Sequence, residues 1–291
     1  MGNAHRAGKP GVPRERLDEG AARAAICEAA REIWQRGLGG AGDGNLSIRL
    51  DARRVLTTPS ACHKGHLHPD DLVIVDLQGR TLEAARGRKP SSELVLHLAA
   101  YAAREEIGAV IHAHPPAAVA LELAGVPLSQ IYVSEVVFAF GLPATAPYTT
   151  PTTAEVGQVL QAYLRCYDVV LMPRHGSVTV GATLDEAVLR LDALEHSAKI
   201  AWMAHAIGAP RPIAPAEVAH LHRIAGRPPA EPGAVGCPPL EPAGARRGAA
   251  VVDAPTMRSG TALAPTASSE AANVEAALVE AVLAALRKAA E

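Results

Sequence analysis

Two histidines one residue apart close a short apolar run, Gly108-Ala109-Val110-Ile111-His112-Ala113-His114, and this spacing constrains the chain more than any other feature. The run reads as a buried strand, and in a strand residues two apart point to the same face. His112 and His114 therefore present both imidazoles in one direction, as a pincer for a metal. Just upstream, Lys89-Pro90-Ser91-Ser92-Glu93 leads into a segment from Leu94 to Arg104, where Leu94, Leu98 and Tyr101 recur at helical spacing. A carboxylate thus precedes the helix and two imidazoles end the strand after it. Ser91 and Ser92 lie where the free N–H groups of a first helical turn favour negative charge, so they suit either an anion site or simple capping.

A third histidine extends the constellation. Asp168 to Met172 reads as an apolar strand, Pro173-Arg174-His175-Gly176 as a turn and Ser177 to Gly181 as a second strand, which puts His175 at the tip of a hairpin. Three neutral nitrogen ligands leave one coordination position open for substrate, the pattern of a catalytic rather than a structural zinc.

The succession Gly44-Asn45-Leu46-Ser47, Thr58-Pro59-Ser60, Pro90-Ser91-Ser92-Glu93, His112-Ala113-His114-Pro115 and His175-Gly176 resembles the class II aldolase/adducin family, from roughly residue 20 to 208. The resemblance implies a three-layer α/β/α fold around a mixed, largely antiparallel sheet, and a homotetramer acting on a sugar phosphate. It implies one zinc ion on His112, His114 and His175, with Glu93 either completing the metal's shell or serving as the proton-shuttling base. Gly44, Asn45, Ser60, Ala61, Ser91 and Ser92 inherit the phosphate site, although relatives carry glycine where Ala61 stands. Tyr132 is the nearest candidate for the general acid at the C4 oxygen. The same motifs fit cleavage of a ketose 1-phosphate, a 4-epimerase, a sugar-acid phosphate decarboxylase, a thiosugar-phosphate dehydratase or an adducin-type scaffold. Keeping three histidines and Glu93 together weighs against the scaffold.

The rest of the chain reads in order around this site. Residues 1–16 form a polar tail without an apolar run, and no membrane segment or signal peptide is expected. Net charge is −2, so nothing points to nucleic acid. Cys27, Cys62, Cys166 and Cys237 lack paired spacing, which suggests free thiols and a reducing cytoplasm. Cys62-His63-Lys64-Gly65-His66-Leu67-His68 is a rival cluster of metal-binding side chains without ordered ligand spacing. Helices are expected from Leu17 to Arg36, Ala117 to Leu123 and Ala154 to Leu164, the last capped by Thr152 or Thr153. A capping box at Thr183-Leu184-Asp185-Glu186 opens a helix to about Ile207.

The catalytic domain is expected over residues 17–225. Pro, Ala, Gly and Arg dominate residues 226–267, which read as a linker. Residues 268–291 then carry Leu278, Val279, Val282, Leu283 and Leu286 as one stripe of an amphipathic helix. This ending resembles the encapsulation peptides of enzymes packaged in bacterial microcompartments, which implies shell or core proteins as partners and the compartment lumen as a location within the cytoplasm.

Overall fold

A computed structural model describes residues 17–227 and 237–240. The N-terminal tail and the helix expected over 268–291 lie outside the described residues. Within them, an eight-stranded sheet carries helices on both faces. Its order is β4-β3-β2-β1-β5-β8-β7-β6, with β1 (Asn45–Arg49), β2 (Arg54–Thr57), β3 (Val73–Asp76), β4 (Thr81–Glu83), β5 (Ala109–Ala113), β6 (Ala144–Thr145), β7 (Val169–Met172) and β8 (Gly176–Gly181). Every pair is antiparallel except β6 with β7. The expected mixed, largely antiparallel α/β architecture is the one observed.

Strand alternation sorts the core into two layers. Leu46, Ile48, Leu56, Ile74, Ala109 and Ile111 face α1 (Glu19–Gln35) and α6 (Leu184–Ile207). Val55, Val75, Val110, Val178 and Val180 face α2 (Leu94–Ala103) and α5 (Ala154–Leu164). The shorter α3 (Pro116–Leu123) and α4 (Glu135–Ala139) pack beside α6, and α7 (Pro215–Ile224) packs against α4. Both faces of the central strands are therefore covered, and β5 reads as a continuous apolar run because neither side meets water.

Two local devices fix the strand that carries the histidines. The His114 backbone N–H bonds to Leu38 O at 3.1 Å, tying the end of β5 to the loop after α1. Beyond it, the buried Glu195 carboxylate of α6 accepts from Ala117 N and Ala118 N at 3.0 and 3.1 Å. A carboxylate at a helix N-terminus satisfies orphan donors and complements the dipole, so α3 is anchored directly after His114. No helix among the described residues is long and apolar enough to cross a membrane.

Three sequence expectations need correction. Thr153 begins α5 but makes no side-chain cap; its hydroxyl instead donates to Thr150 O at 2.8 Å. Thr183 does cap α6, accepting from Glu186 N, but the Glu186 carboxylate returns to Ala182 N rather than to Thr183, so the capping box is offset by one residue. The largest correction concerns the cysteines, because Cys166 and Cys237 form a disulfide 71 residues apart in sequence. Residues 237–240, inside the stretch read as a linker, return to the domain: Tyr167 OH donates to Pro238 O at 2.7 Å, and Thr145 N donates to Leu240 O at 2.7 Å. Cysteine spacing conceals such a pairing because tertiary folding alone closes the loop.

Closing a loop of this length restricts the unfolded chain, to a limit of about 4 kcal/mol. Replacing both cysteines by serine, or reducing the bond with dithiothreitol, is expected to lower the melting temperature while leaving the far-ultraviolet dichroism of the folded protein unchanged. An unchanged melting temperature would show that the bond adds no stability.

Candidate metal centre and anion site

The sheet register places the pieces. Asn45 lies opposite His112 in the β1–β5 pair, and Ser177 lies opposite Ala113 in the β5–β8 pair. The turn joining β7 to β8 carries His175 and brings it alongside the end of β5. One ring nitrogen from each of His112, His114 and His175 lies within 4.8 Å of the others. Among the described residues this is the one such group with metal-binding geometry. Glu93, the N-cap residue of α2, reaches the same point: its carboxylate oxygens lie 3.2 Å from His112 Nε2 and 3.2 Å from His175 Nε2.

Hydrogen bonding fixes the tautomer of His112. Its Nδ1 lies 3.0 Å from Ser177 O, and a carbonyl only accepts, so Nδ1 carries the proton. In the neutral ring, Nε2 then presents a lone pair, which faces His114 Nε2 at 3.1 Å as well as Glu93. Imidazole lone pairs and a carboxylate aimed at one point form a donor set suited to a divalent cation, and the carbonyl behind His112 is the usual orienting partner of such a ligand. Asp43 stands 3.8 Å from His114 Nδ1, near it but beyond hydrogen-bond distance.

Burial and charge set the protonation states. Desolvation pushes His114 down to about 4, with the neighbouring His112 and His175 acting in the same direction. For Glu93 in the cation-free site, burial works to raise the carboxyl, but hydrogen bonds and charge from His112 and His175, which arise when a proton rather than a cation lies between the groups, outweigh it and hold the carboxyl far below the usual carboxylate range.

Two glycines make the close approach possible. Gly44 has φ +70°, and a Cβ there would come within 2.7 Å of His112 O. At Gly176 a Cβ would strike Ala113 O and sit 2.6 Å from His114 Cδ2. The hairpin that carries His175 can lie against β5 only because residue 176 has no side chain.

The serine loops also converge. Pro59 and Pro90 form an antiparallel bridge, Ser60 N donates to Lys89 O at 2.9 Å and Ser91 N donates to Thr58 O at 3.2 Å, so the two serine-bearing loops are paired. Ser91 Oγ accepts from Glu93 N at 3.2 Å, whereas Ser92 is exposed just ahead of α2. Ala61 is exposed with φ +50°, a left-handed conformation that costs a residue with a Cβ roughly 1–2 kcal/mol. The backbone thus adopts a glycine-like shape although the residue departs from glycine.

Tyr132 packs against α6. Its hydroxyl donates to Gln130 Oε1 at 2.9 Å and stands 3.4 Å from Nε2 of His205 on α6, and its ring meets that imidazole edge-on. The rival loop is packed rather than assembled around a metal. His63 and His66 stack on each other and against Trp34, and the buried Lys64 ammonium donates to Gly42 O and Cys62 O at 3.3 Å each. Sequence reasoning missed Asp43, because nothing in its glycine-rich loop marks a neighbour of His114. It also missed a buried chain from Glu93 through Asn45 to His97, Ser47 and Tyr101. The four-residue spacing of Glu93, His97 and Tyr101 was the available signal.

Three histidines at the middle of a largely antiparallel α/β sheet, with a carboxylate beside them and serine loops at the start of a helix, form a donor set that could hold a metal ion. Residues 24–202 match the model of the class II aldolase and adducin N-terminal domain, and the chain belongs to that family. It is 32% identical over 183 residues to the 3-oxo-tetronate 4-phosphate decarboxylase of Haemophilus influenzae, covering 60% of this chain and 84% of that protein. Identity is also 32%, over 197 residues, to the 5-methylthioribulose-1-phosphate/5-deoxyribulose-1-phosphate aldolase of Rhodospirillum rubrum, covering 68% of this chain and 87% of that protein. Among solved structures, an L-fuculose 1-phosphate aldolase superposes with a TM-score of 0.64 at 25% identity, covering 72% of this chain and 98% of that one.

Two outcomes follow from this geometry. Gly176→Ala is expected to cost about 1–3 kcal/mol by overpacking and to abolish stoichiometric zinc binding, read by thermal denaturation and metal analysis. An unchanged metal content would mean that the hairpin tolerates displacement. For the metal-stripped protein, His114 in the fold sits below the ordinary histidine value, so the unfolded chain binds more protons between about pH 6.5 and 4. Stability is therefore fully present above pH 6.5 and declines as the pH falls through that window. Glu93, also depressed, adds its loss below the ordinary glutamate value. Urea midpoints measured from pH 7 to 4.5 check the sign, and a rising midpoint on acidification would refute it.

Proposed function

We propose that the chain is a zinc-dependent class II aldolase that cleaves a ketose 1-phosphate to dihydroxyacetone phosphate and a short aldehyde. The observation that carries this reading is the convergence of His112, His114 and His175 on the Glu93 carboxylate beside the Ser60 and Ser91 loops. His112, His114 and His175 would hold the zinc, which would supply Lewis acidity and stabilise negative charge developing on the substrate. Gly44, Asn45, Ser60, Ser91 and Ser92, with the backbone at Ala61, bind the phosphate and fix the register of the sugar. Cleavage passes the C4 hydroxyl proton to the Glu93 carboxylate and breaks the C3–C4 bond, leaving the electron pair as an enediolate while the aldehyde departs. Glu93 then returns that proton to C3.

Decarboxylation of a 3-oxo sugar-acid phosphate is the second reading. A β-keto acid loses carbon dioxide to leave the same enediolate without any hydroxyl to deprotonate. The relative named as a 3-oxo-tetronate 4-phosphate decarboxylase supports the same possibility.

A coupled assay for dihydroxyacetone phosphate tests both readings, with fuculose, rhamnulose and 5-deoxyribulose 1-phosphates as aldolase substrates and 3-oxo-tetronate 4-phosphate as the acid. Aldehyde release that chelator abolishes and zinc restores supports the aldolase. Release of carbon dioxide from the acid alone supports the decarboxylase. Glu93→Gln is expected to lower kcat by about 10²- to 10⁴-fold. The absence of product from all four would overturn both.

We also propose a homotetramer, for which the exposed Trp202, Met203 and Ile207 of α6 supply apolar surface, and a microcompartment partner for residues 268–291. Light scattering of the full chain is expected to report four subunits. Truncation after residue 267 is expected to retain that mass but lose co-sedimentation with shell proteins, and unchanged co-sedimentation would discard the partner role.

A further inference from the structure

On the face of the sheet that meets α2, β1 presents every second residue: Asn45, Ser47 and Arg49. On the facing side of α2, every fourth residue recurs: Glu93, His97 and Tyr101. Two strand residues advance about 6.6 Å and four helical residues about 6 Å, so the two rows stay in step. Their side chains interleave into one line. Asn45 Nδ2 lies 3.2 Å from Glu93 Oε2, Asn45 Oδ1 2.5 Å from His97 Nε2, His97 Nδ1 2.6 Å from Ser47 Oγ, and Ser47 Oγ 2.7 Å from Tyr101 OH. Asn45, Ser47, His97 and Tyr101 are all buried.

Donor and acceptor capacity gives this line a single direction. The Glu93 carboxylate only accepts, so the Asn45 amide turns its NH2 toward Glu93 and its oxygen toward His97. His97 Nε2 must then carry the proton. In the neutral ring Nδ1 accepts, the Ser47 hydroxyl donates to it, and the Tyr101 hydroxyl donates to Ser47. Burial, with the His112 ring nearby, pushes the His97 imidazole down to about 3, consistent with a neutral ring. Every member is satisfied, and reversing the amide would set its carbonyl oxygen against the carboxylate.

We infer that His97 is the positioning residue of the centre: through the Asn45 amide it holds the Glu93 carboxylate against His112 and His175. His97 itself touches neither ligands nor substrate. Asn45 spends an amide proton on Glu93. The inference deepens the role proposed for Glu93 and rests on that reading only in its kinetic arm.

The first test is nitrogen-15 NMR of histidine-labelled protein. His97 is expected as the Nε2–H tautomer from pH 7 to 5, with a slowly exchanging ring proton; the Nδ1–H tautomer, or an imidazolium at pH 6, overturns the inference. The second compares His97→Leu with His97→Gln, whose terminal amide keeps an N–H for Asn45. Zinc affinity, read by competition with a chromophoric chelator, is expected to fall about 10-fold in His97→Leu and to recover in His97→Gln. With an active substrate, kcat follows the same pattern at a KM within about twofold of the parent. Equal affinity in both variants and the parent, or equal loss in both, overturns the positioning role. If no substrate turns over, the reaction reading fails while the tautomer and the zinc affinities still decide this one. Should His97→Leu not fold, Ser47→Ala replaces it, because it removes the donor to Nδ1 and is expected to weaken zinc binding in the same way.

Discussion

A carboxylate and several imidazole lone pairs aimed at one point repel one another unless a positive charge lies among them, and the fold holds them together all the same. His112 is fixed by the carbonyl of Ser177, Glu93 by the Asn45 amide, and His175 by a hairpin that approaches β5 where residue 176 lacks a side chain. The constraints come from β1 and β8 on either side of β5. The centre is therefore a property of the whole sheet, and its preorganisation is what equips the site to bind a cation and act on charge that develops during a reaction.

The central position of β5 explains much of the architecture. Paired on one side with β1 and on the other with β8, it cannot shift register without turning its histidines to the opposite face. The layers on either side match this demand. Ala109 and Ile111 fill the core beneath α1 and α6, while Val110 and His112 face the layer of α2.

Legibility in the sequence follows the range of the interactions. The histidine pair, the turn histidine and the carboxylate before a helix were all readable, because strand and turn periodicities are local. So was the largely antiparallel sheet. The surroundings of Tyr132 could not be read, since they depend on α6, more than seventy positions away in sequence. The Cys166–Cys237 bond was hidden for the same reason. Asp43 and His97 bear on the site only through contacts that the tertiary fold creates, and His97 inside an apolar helix carries no outward sign of which strand it will face.

The order of the strands has a kinetic meaning. The nitrogen ligands come from residues 112, 114 and 175, and they meet only after β5 and β8 have paired across more than sixty intervening residues. Pairings of such long sequence separation form slowly, because loop-closure entropy is lost before any contact compensates for it. A metal ion thus arrives at a nearly finished protein. It rewards completion of the fold and does not seed it, unlike the ion of a small zinc finger, whose ligands lie close together along the chain.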